Sequence, residues 1–195
     1  DRNLIGFLRV LKDTNWGAGK VLLDHDARRR AAVEQPSPAT AAPMVIAHMQ
    51  VLPGWIDYNG HMTESRYLFA SSETCDAFLR NIGADMDYVS KGHSYYTAES
   101  HIIHAGEAKL GDHLTGSVQV LAADEKRLHL FIRIERDEKL VASVEQMLLH
   151  VDMAAGSTCP AKPEVLARLL PIADAHRALP RPETTGRFVG QRAQK

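Results

Sequence analysis

The strongest constraint on the fold is one long amphipathic helical pattern that is followed by a series of alternating strand patterns. Apolar or small residues recur every three or four positions through residues 63–83. A helix of about 20 residues is roughly 30 Å long, which is enough to cross a whole β-sheet. Thr63 is suited to cap its start, and Gly83 is suited to end it. The predicted apolar stripe consists of Leu68, Ser71, Cys75, Phe78, Leu79 and Ile82.

The stretches around this helix alternate between apolar and polar residues and are predicted to be strands. One precedes the helix at residues 45–52, where Val45, Ala47, Met49 and Val51 are expected on one face. Because the later strands are joined by short polar segments, we expect them to form an antiparallel meander. One antiparallel sheet curled around one helix, an α+β fold, would bury the apolar faces of both. The later strands are predicted at residues 94–105, 114–121, 128–135 and 140–151.

The predicted sheet and helix occupy only the middle of the chain. Residues 1–32 are predicted to form two short helices, and the Pro- and Ala-rich residues 33–43 are predicted to be a linker. The main domain is placed at residues 44–152, and a further helix with a polar tail at residues 153–195. Because the chain begins on Asp1, we expect it to be part of a longer protein.

Composition narrows the class of protein. Lys and Arg number 23 against 24 Asp and Glu, so the formal net charge is -1 at pH 7. This balance argues against nucleic acid or an anionic membrane surface as the main partner, since both require concentrated positive charge. No apolar run approaches the roughly 20 residues that cross a bilayer. The 2 cysteines are too few for a disulfide framework and suit a reducing cytoplasm.

The most informative stretch for chemistry is the turn-rich segment directly before the long helix, which contains Asp57, Gly60 and His61. Free amides at a helix start can polarise a carbonyl group, and a nearby carboxylate can attack that carbonyl or activate a water molecule. Gly60 would allow the backbone to approach a ligand closely. The alternative is that Asp57 and Asn59 only form a turn, as these residue types often do.

Other side chains are weaker candidates. Glu73, within the helix, could compete with Asp57 or assist it, or could be an ordinary exposed helix charge. His101 and His104 do not predict a metal site, because an offset of three along a strand places them on opposite faces. Aromatic side chains near the turn could together bind a quaternary ammonium group, or could simply pack in the core. These aromatic residues are Trp55, Tyr58, Tyr67, Tyr95 and Tyr96.

The turn carries a family resemblance. Asp57-Tyr58-Asn59-Gly60-His61-Met62, followed by Tyr67-Leu68, resembles the Asp-x-x-Gly-His signature of hotdog-fold acyl-CoA thioesterases of the 4-hydroxybenzoyl-CoA thioesterase type. The resemblance covers residues 44–152, and the order of one strand, one helix and four strands agrees with that fold. After the signature, Thr63-Glu64 stands where an Asn pair is usual, so the usual Asn contacts are in doubt here.

Longer stretches are similar to one subgroup of these thioesterases. This subgroup is fused behind L-carnitine dehydrogenase and is regarded as acting on betainyl-CoA. The first segment, DRNLIGFLRVLKDTNWGAGKVL, is similar to the last helices of such a dehydrogenase. The resemblance therefore implies the C-terminal part of a bifunctional protein. The similar stretches within the main domain are WIDYNGHMTESRYL, SYYTAESHIIH, ADEKRLHLF and EQMLLHVD.

The resemblance implies a reaction and an assembly. Betainyl-CoA would be hydrolysed to glycine betaine and coenzyme A, with Asp57 as base or nucleophile and the amides of Gly60 and His61 polarising the carbonyl. No metal or other cofactor is expected. A homodimer or a higher hotdog oligomer is expected, with Tyr95, Tyr96 or Glu99 contributed across the interface. The alternatives are a thioesterase for another short or aromatic acyl-CoA, a hotdog dehydratase, and an acyl-CoA-binding domain without catalysis.

Overall fold

The structure, a computed structural model, describes residues 41–189. The helices predicted within residues 1–32 and most of the linker predicted at residues 33–43 lie outside these described residues. Within the described part of the chain, no helix is long and apolar enough to cross a membrane.

The described residues form an antiparallel sheet together with the long helix predicted from the sequence. Two short elements, a five-residue helix and a two-residue strand, were not predicted. The elements are β1 (Met44–Gln50), a 3-10 turn (Pro53–Trp55), α1 (Glu64–Asn81), α2 (Met86–Ser90), β2 (His93–His104), β3 (His113–Ala123), β4 (Arg127–Arg136), β5 (Lys139–Asp152), β6 (Ser157–Thr158) and α3 (Pro163–His176).

The strand order in the sheet is β1-β3-β4-β5-β2, with β6 added against β5. The predicted meander of the last four long strands is therefore wrong. Strands β3, β4 and β5 do follow one another, but β2 pairs with β5 from His93↔Asp152 to His104↔Ala142. The physical reason is that residues 105–112 do not turn back as a hairpin. This segment, the connector, leads from β2 at one edge of the sheet to β3 beside β1.

Helix α1 packs against β1, β3, β4 and β5 through most of the predicted apolar stripe, but Leu68 is 39% exposed and Tyr67 beside it is buried. Phe78 and Ile82 on this stripe are fully buried. The helix approaches β3 closely at Gly116, where an added Cβ would lie 2.0 Å from Thr74 Oγ1. A side chain at this position would therefore push the helix away from the sheet.

The alternation predicted for β4 is confirmed, because Leu128, Leu130, Ile132 and Ile134 are all fully buried. The prediction that Val45 lies on the buried face of β1 is wrong, since this side chain is 61% exposed. A β-bulge between Val45 and Ala47 shifts the alternation there, a displacement that residue spacing does not reveal.

The helix predicted after residue 160 is confirmed as α3 and packs against β3. At the end of this helix, His176 Nδ1 accepts a hydrogen bond of 2.9 Å from the backbone N–H of Val120. This N–H lies beside a bulge in β3, between Val120 and Ala122. The segment after β5 is thereby attached to the sheet.

Candidate active site

The loop before α1 is a tight turn closed by its own backbone. The N–H of Asp57 donates to the carbonyl of His61 at 2.9 Å, and the N–H of Gly60 donates to the carbonyl of Asp57 at 3.1 Å. Gly60 has a φ of 80°, which favours glycine. The Asp57 side chain takes part as well, because its Oδ1 accepts a hydrogen bond of 2.8 Å from the N–H of Asn59.

The turn leaves two groups available to a ligand. Among the described residues, neither Asp57 Oδ2 nor the backbone N–H of His61 has a hydrogen-bond partner. Thr63, the N-cap of α1 as predicted, makes no side-chain cap hydrogen bond, although its carbonyl accepts from the N–H of Arg66 at 2.9 Å. Asp57 therefore serves as a turn former through one oxygen and presents the other beside the positive end of the helix.

A cleft of about 420 Å³ opens beside this loop. A larger groove of about 510 Å³ lies at the opposite end of the sheet, around Asp124 and Arg127, and contains none of the loop residues. We therefore take the smaller cleft as the candidate active site, because it combines a carboxylate with a helix start. It is lined by Asp57, Asn59, His61, Met62, Glu64, Tyr67, His104, Gly106 and Glu107.

The connector forms the second wall of the cleft and is attached to α1 through Tyr67. The Tyr67 hydroxyl donates to the carbonyl of Gly106 at 3.4 Å and accepts from the N–H of Ala108 at 3.1 Å. Burial raises the pKa of Tyr67, so its hydroxyl keeps the proton that it donates. The ring also makes an edge contact with His104, with 5.1 Å between the ring centroids.

The connector is further held by charged groups. His61 Nε2 lies 3.2 Å from Glu107 Oε2, which joins the connector to the loop before α1. Arg136 Nη1 donates to the carbonyl of Glu107 at 2.8 Å and to Asp112 Oδ2 at 3.0 Å. The backbone N–H of Lys109 and the Arg136 guanidinium lower the pKa of Asp112, which keeps this carboxylate ionised.

The structure brings together some of the predicted site residues. Asp57, Gly60 and His61 lie in the loop as expected, and Tyr67 lines the cleft. Glu73 is half-buried on α1 and does not line the cleft.

The predicted aromatic cluster does not form within one chain, since Tyr67 is the only one of its members that lines the cleft. Trp55 is buried against Phe69, with 5.4 Å between the ring centroids, and Tyr58 is 98% exposed. Tyr95 is buried in contact with the ring of His150. The remaining members of the predicted binding set, Tyr96 and Glu99, are exposed on β2.

Sequence reasoning missed Glu107 and His104 as residues of the cleft. Glu107 lies in the connector, which carries no motif, and His104 was considered only as half of a metal-binding pair. A signal was present in the length of the connector, because residues 105–112 are more than a tight hairpin turn requires. The contact of the connector with the loop, through Met62 N–H and the carbonyl of Ala108 at 2.8 Å, is decided by the tertiary structure.

The curled antiparallel sheet around one helix, with the Asp57 loop directly before that helix, is the hotdog fold. The chain belongs to the Thioesterase-like superfamily, whose sequence pattern matches residues 51–169. The expected family and fold class are thus confirmed.

Two relatives place the chain more narrowly. The L-carnitine dehydrogenase/betainyl-CoA thioesterase of Rhizobium meliloti is 47% identical over 200 residues, which are 98% of this chain and 40% of the relative. The betainyl-CoA thioesterase of Pseudomonas aeruginosa is 41% identical over 143 residues, which are 72% of this chain and 90% of the relative. The chain thus spans about 40% of the length of the bifunctional relative and most of the shorter one.

Solved structures share the fold of this chain. A protein of Pseudomonas putida KT2440 that is named as a thioesterase superposes with a TM-score of 0.67 at 31% identity, over 78% of this chain and 99% of that one. A Staphylococcus aureus protein solved in complex with CoA superposes with a TM-score of 0.72 at 21% identity, over 80% of this chain and 100% of that one. The second likeness concerns the fold alone.

Proposed function

We propose that this domain hydrolyses betainyl-CoA to glycine betaine and coenzyme A. The observation that carries the proposal is that Asp57 Oδ2 and the His61 N–H, in the loop directly before α1, have no hydrogen-bond partner among the described residues. The acyl group is taken from the relatives that are named as betainyl-CoA thioesterases. In the full-length protein, we propose a dehydrogenase fused upstream, as in the bifunctional relatives.

In the proposed mechanism, the thioester carbonyl oxygen accepts a hydrogen bond from the His61 N–H, two residues before the N-cap of α1. Asp57 Oδ2 removes a proton from a water molecule, whose oxygen attacks the carbonyl carbon. The tetrahedral intermediate then expels coenzyme A as a thiolate, which takes up a proton. Direct attack by Asp57 is the alternative and would form an acyl-enzyme anhydride that water hydrolyses. The N–H of Gly60 donates to the carbonyl of Asp57 within the turn, so it does not polarise the thioester carbonyl in this proposal. We assign Gly60 the role of allowing the conformation of the loop.

The chemistry needs no metal or other cofactor in this proposal, because a thiolate is a good leaving group. A cysteine nucleophile is not part of it. Cys75 is buried in the core, and burial raises the pKa of its thiol to about 12. We also place the protein in the cytoplasm, since both cysteines are free thiols.

We further propose that the domain acts as a homodimer joined along β2. This strand pairs with β5 on one side and with no other described strand on its outer side. Antiparallel pairing of two such edges brings the His93 end of one strand beside the His104 end of the other. The exposed Tyr96 and Glu99 lie within this strand, so the pairing would place both near the interface between the two subunits.

The test of the proposed function is the release of free thiol from a panel of CoA thioesters that includes betainyl-, acetyl- and 4-hydroxybenzoyl-CoA. Wild type is expected to cleave betainyl-CoA fastest, also in the presence of EDTA. Asp57→Asn is expected to lower kcat by about 100-fold or more, because the amide can neither take up a proton nor attack. The new Asn oxygen can still accept from the N–H of Asn59, so the turn should persist.

The matched control is Asp152→Asn, since Asp152 caps another turn through the N–H groups of Ala154 and Ala155, outside the cleft. It is expected to retain the wild-type rate. Faster cleavage of a different ester would support thioesterase activity but contradict betainyl-CoA as the substrate. A folded protein that binds these esters without cleaving any of them would contradict catalysis and identify an acyl-CoA-binding domain.

A further inference from the structure

One wall of the cleft carries the side chain of Glu107, which is 71% exposed. The Glu107 carbonyl accepts from Arg136 Nη1 at 2.8 Å, and the residues on both sides of Glu107 are bonded to the Tyr67 hydroxyl. The Glu107 side chain is held in turn by His61 Nε2 at 3.2 Å. These contacts restrain both the backbone and the carboxylate of this residue, although the side chain faces water.

The groups around Glu107 suit a positive charge. The Tyr67 and His104 rings line the same cleft and are 5.1 Å apart, and aromatic rings attract quaternary ammonium groups. Arg136 does not line the cleft, and its Nη1 donates to Asp112 Oδ2 and to the Glu107 carbonyl. None of the residues that line the cleft is a Lys or an Arg. An acyl group with a fixed cation would therefore meet attraction in this cleft, and an anionic acyl group would meet repulsion.

We propose that Glu107 is the residue that selects a quaternary ammonium acyl group for this thioesterase. The inference rests on the proposed function, since it concerns the substrate of the same cleft. Glu107 does not take part in bond breaking in this proposal. Its carboxylate attracts the trimethylammonium end of the substrate, beside the Tyr67 and His104 rings.

The experiment compares two substrates of the same shape. Betainyl-CoA carries a trimethylammonium group, and 3,3-dimethylbutyryl-CoA carries a neutral tert-butyl group in the same place. The quantity measured is the ratio of their kcat/KM values. Glu107→Gln is expected to lower this ratio about tenfold, mainly through the KM of betainyl-CoA, because glutamine keeps the shape of glutamate without its charge. Glu107→Asp, which keeps the charge, is expected to retain most of the preference.

The control is Glu138→Gln, since Glu138 is an exposed carboxylate in the turn between β4 and β5 that does not line the cleft. It is expected to leave the ratio at the wild-type value. A Glu107→Gln ratio within twofold of wild type would overturn the inference, even if both rates fell together, because a merely structural role affects both substrates alike. Failure of wild type to cleave either ester would instead contradict the proposed function.

Discussion

At the scale of single residues, the Tyr67 hydroxyl is the contact that joins the long helix to the connector. It accepts from the N–H of Ala108 and donates to the carbonyl of Gly106. Ala108 is fully buried, so water cannot replace the hydroxyl at its N–H without rearrangement of the connector. One oxygen atom thus stabilises the wall of the cleft that carries Glu107.

Replacement of Tyr67 by phenylalanine tests this contact. Tyr67→Phe is expected to lower the free energy of unfolding by about 1–3 kcal/mol, because it leaves a buried N–H without a partner. Urea denaturation followed by circular dichroism measures the change. Tyr58→Phe is the control, since Tyr58 is 98% exposed and should show no change. Equal stability of Tyr67→Phe and wild type would mean that the connector is held without this hydroxyl.

At the scale of elements, the packing of α1 on the sheet depends on the absence of a side chain at Gly116. A Cβ there would lie 2.0 Å from Thr74 Oγ1 and 2.8 Å from Thr74 Cγ2. Both atoms belong to a fully buried side chain whose hydroxyl donates to the carbonyl of Ala70 at 2.8 Å. The threonine therefore has little freedom to move aside.

Gly116→Ala is accordingly expected to destabilise the domain by about 1–3 kcal/mol through overpacking. The double variant Gly116→Ala with Thr74→Ala should recover part of this loss, because it removes the two closest atoms. Gly54→Ala is the control, since no atom lies within 4 Å of a Cβ added there. The measurement is the melting temperature of wild type, the two single variants and the double variant. An unchanged melting temperature for Gly116→Ala would show that the helix does not approach the sheet this closely.

At the scale of the whole molecule, the outer edge of β2, which pairs with no other described strand, is the proposed interface between two subunits. An edge strand of 12 residues is long for an unprotected edge, because unpaired N–H and carbonyl groups favour pairing with another strand. Ala98 is exposed and falls at a bulge between Thr97 and Glu99 in the pairing with β5. A substitution at Ala98 can therefore disturb the outer edge with little effect on the pairing with β5.

Ala98→Pro is expected to convert a dimer into a monomer with reduced thioesterase activity, because proline blocks strand pairing at the outer edge. Sedimentation velocity measures the mass against the 21.6 kDa of one chain. Ala98→Gly is the control, since it keeps the backbone N–H and should remain dimeric. A monomeric wild type with full activity would contradict the proposed assembly.

The sequence by itself determined the local elements of this protein and the turn before α1. The apolar stripe of α1 and the alternation of Leu128, Leu130, Ile132 and Ile134 follow directly from residue spacing, because a helix and a strand have fixed periods. The Asp57 turn was likewise evident, since its conformation depends on neighbours in the chain and on the glycine at residue 60.

Only the tertiary structure decided the pairing of β2 with β5 and the second wall of the cleft. Periodicity shows which face of a strand is buried but not which strand lies beside it, so it cannot distinguish the connector from a hairpin turn. Glu107 reaches His61 across 46 positions of the chain because the connector crosses between the sheet edges, and no local pattern encodes that contact. The bulge in β1 and the separation of the aromatic residues have the same origin, since packing of distant segments determines both.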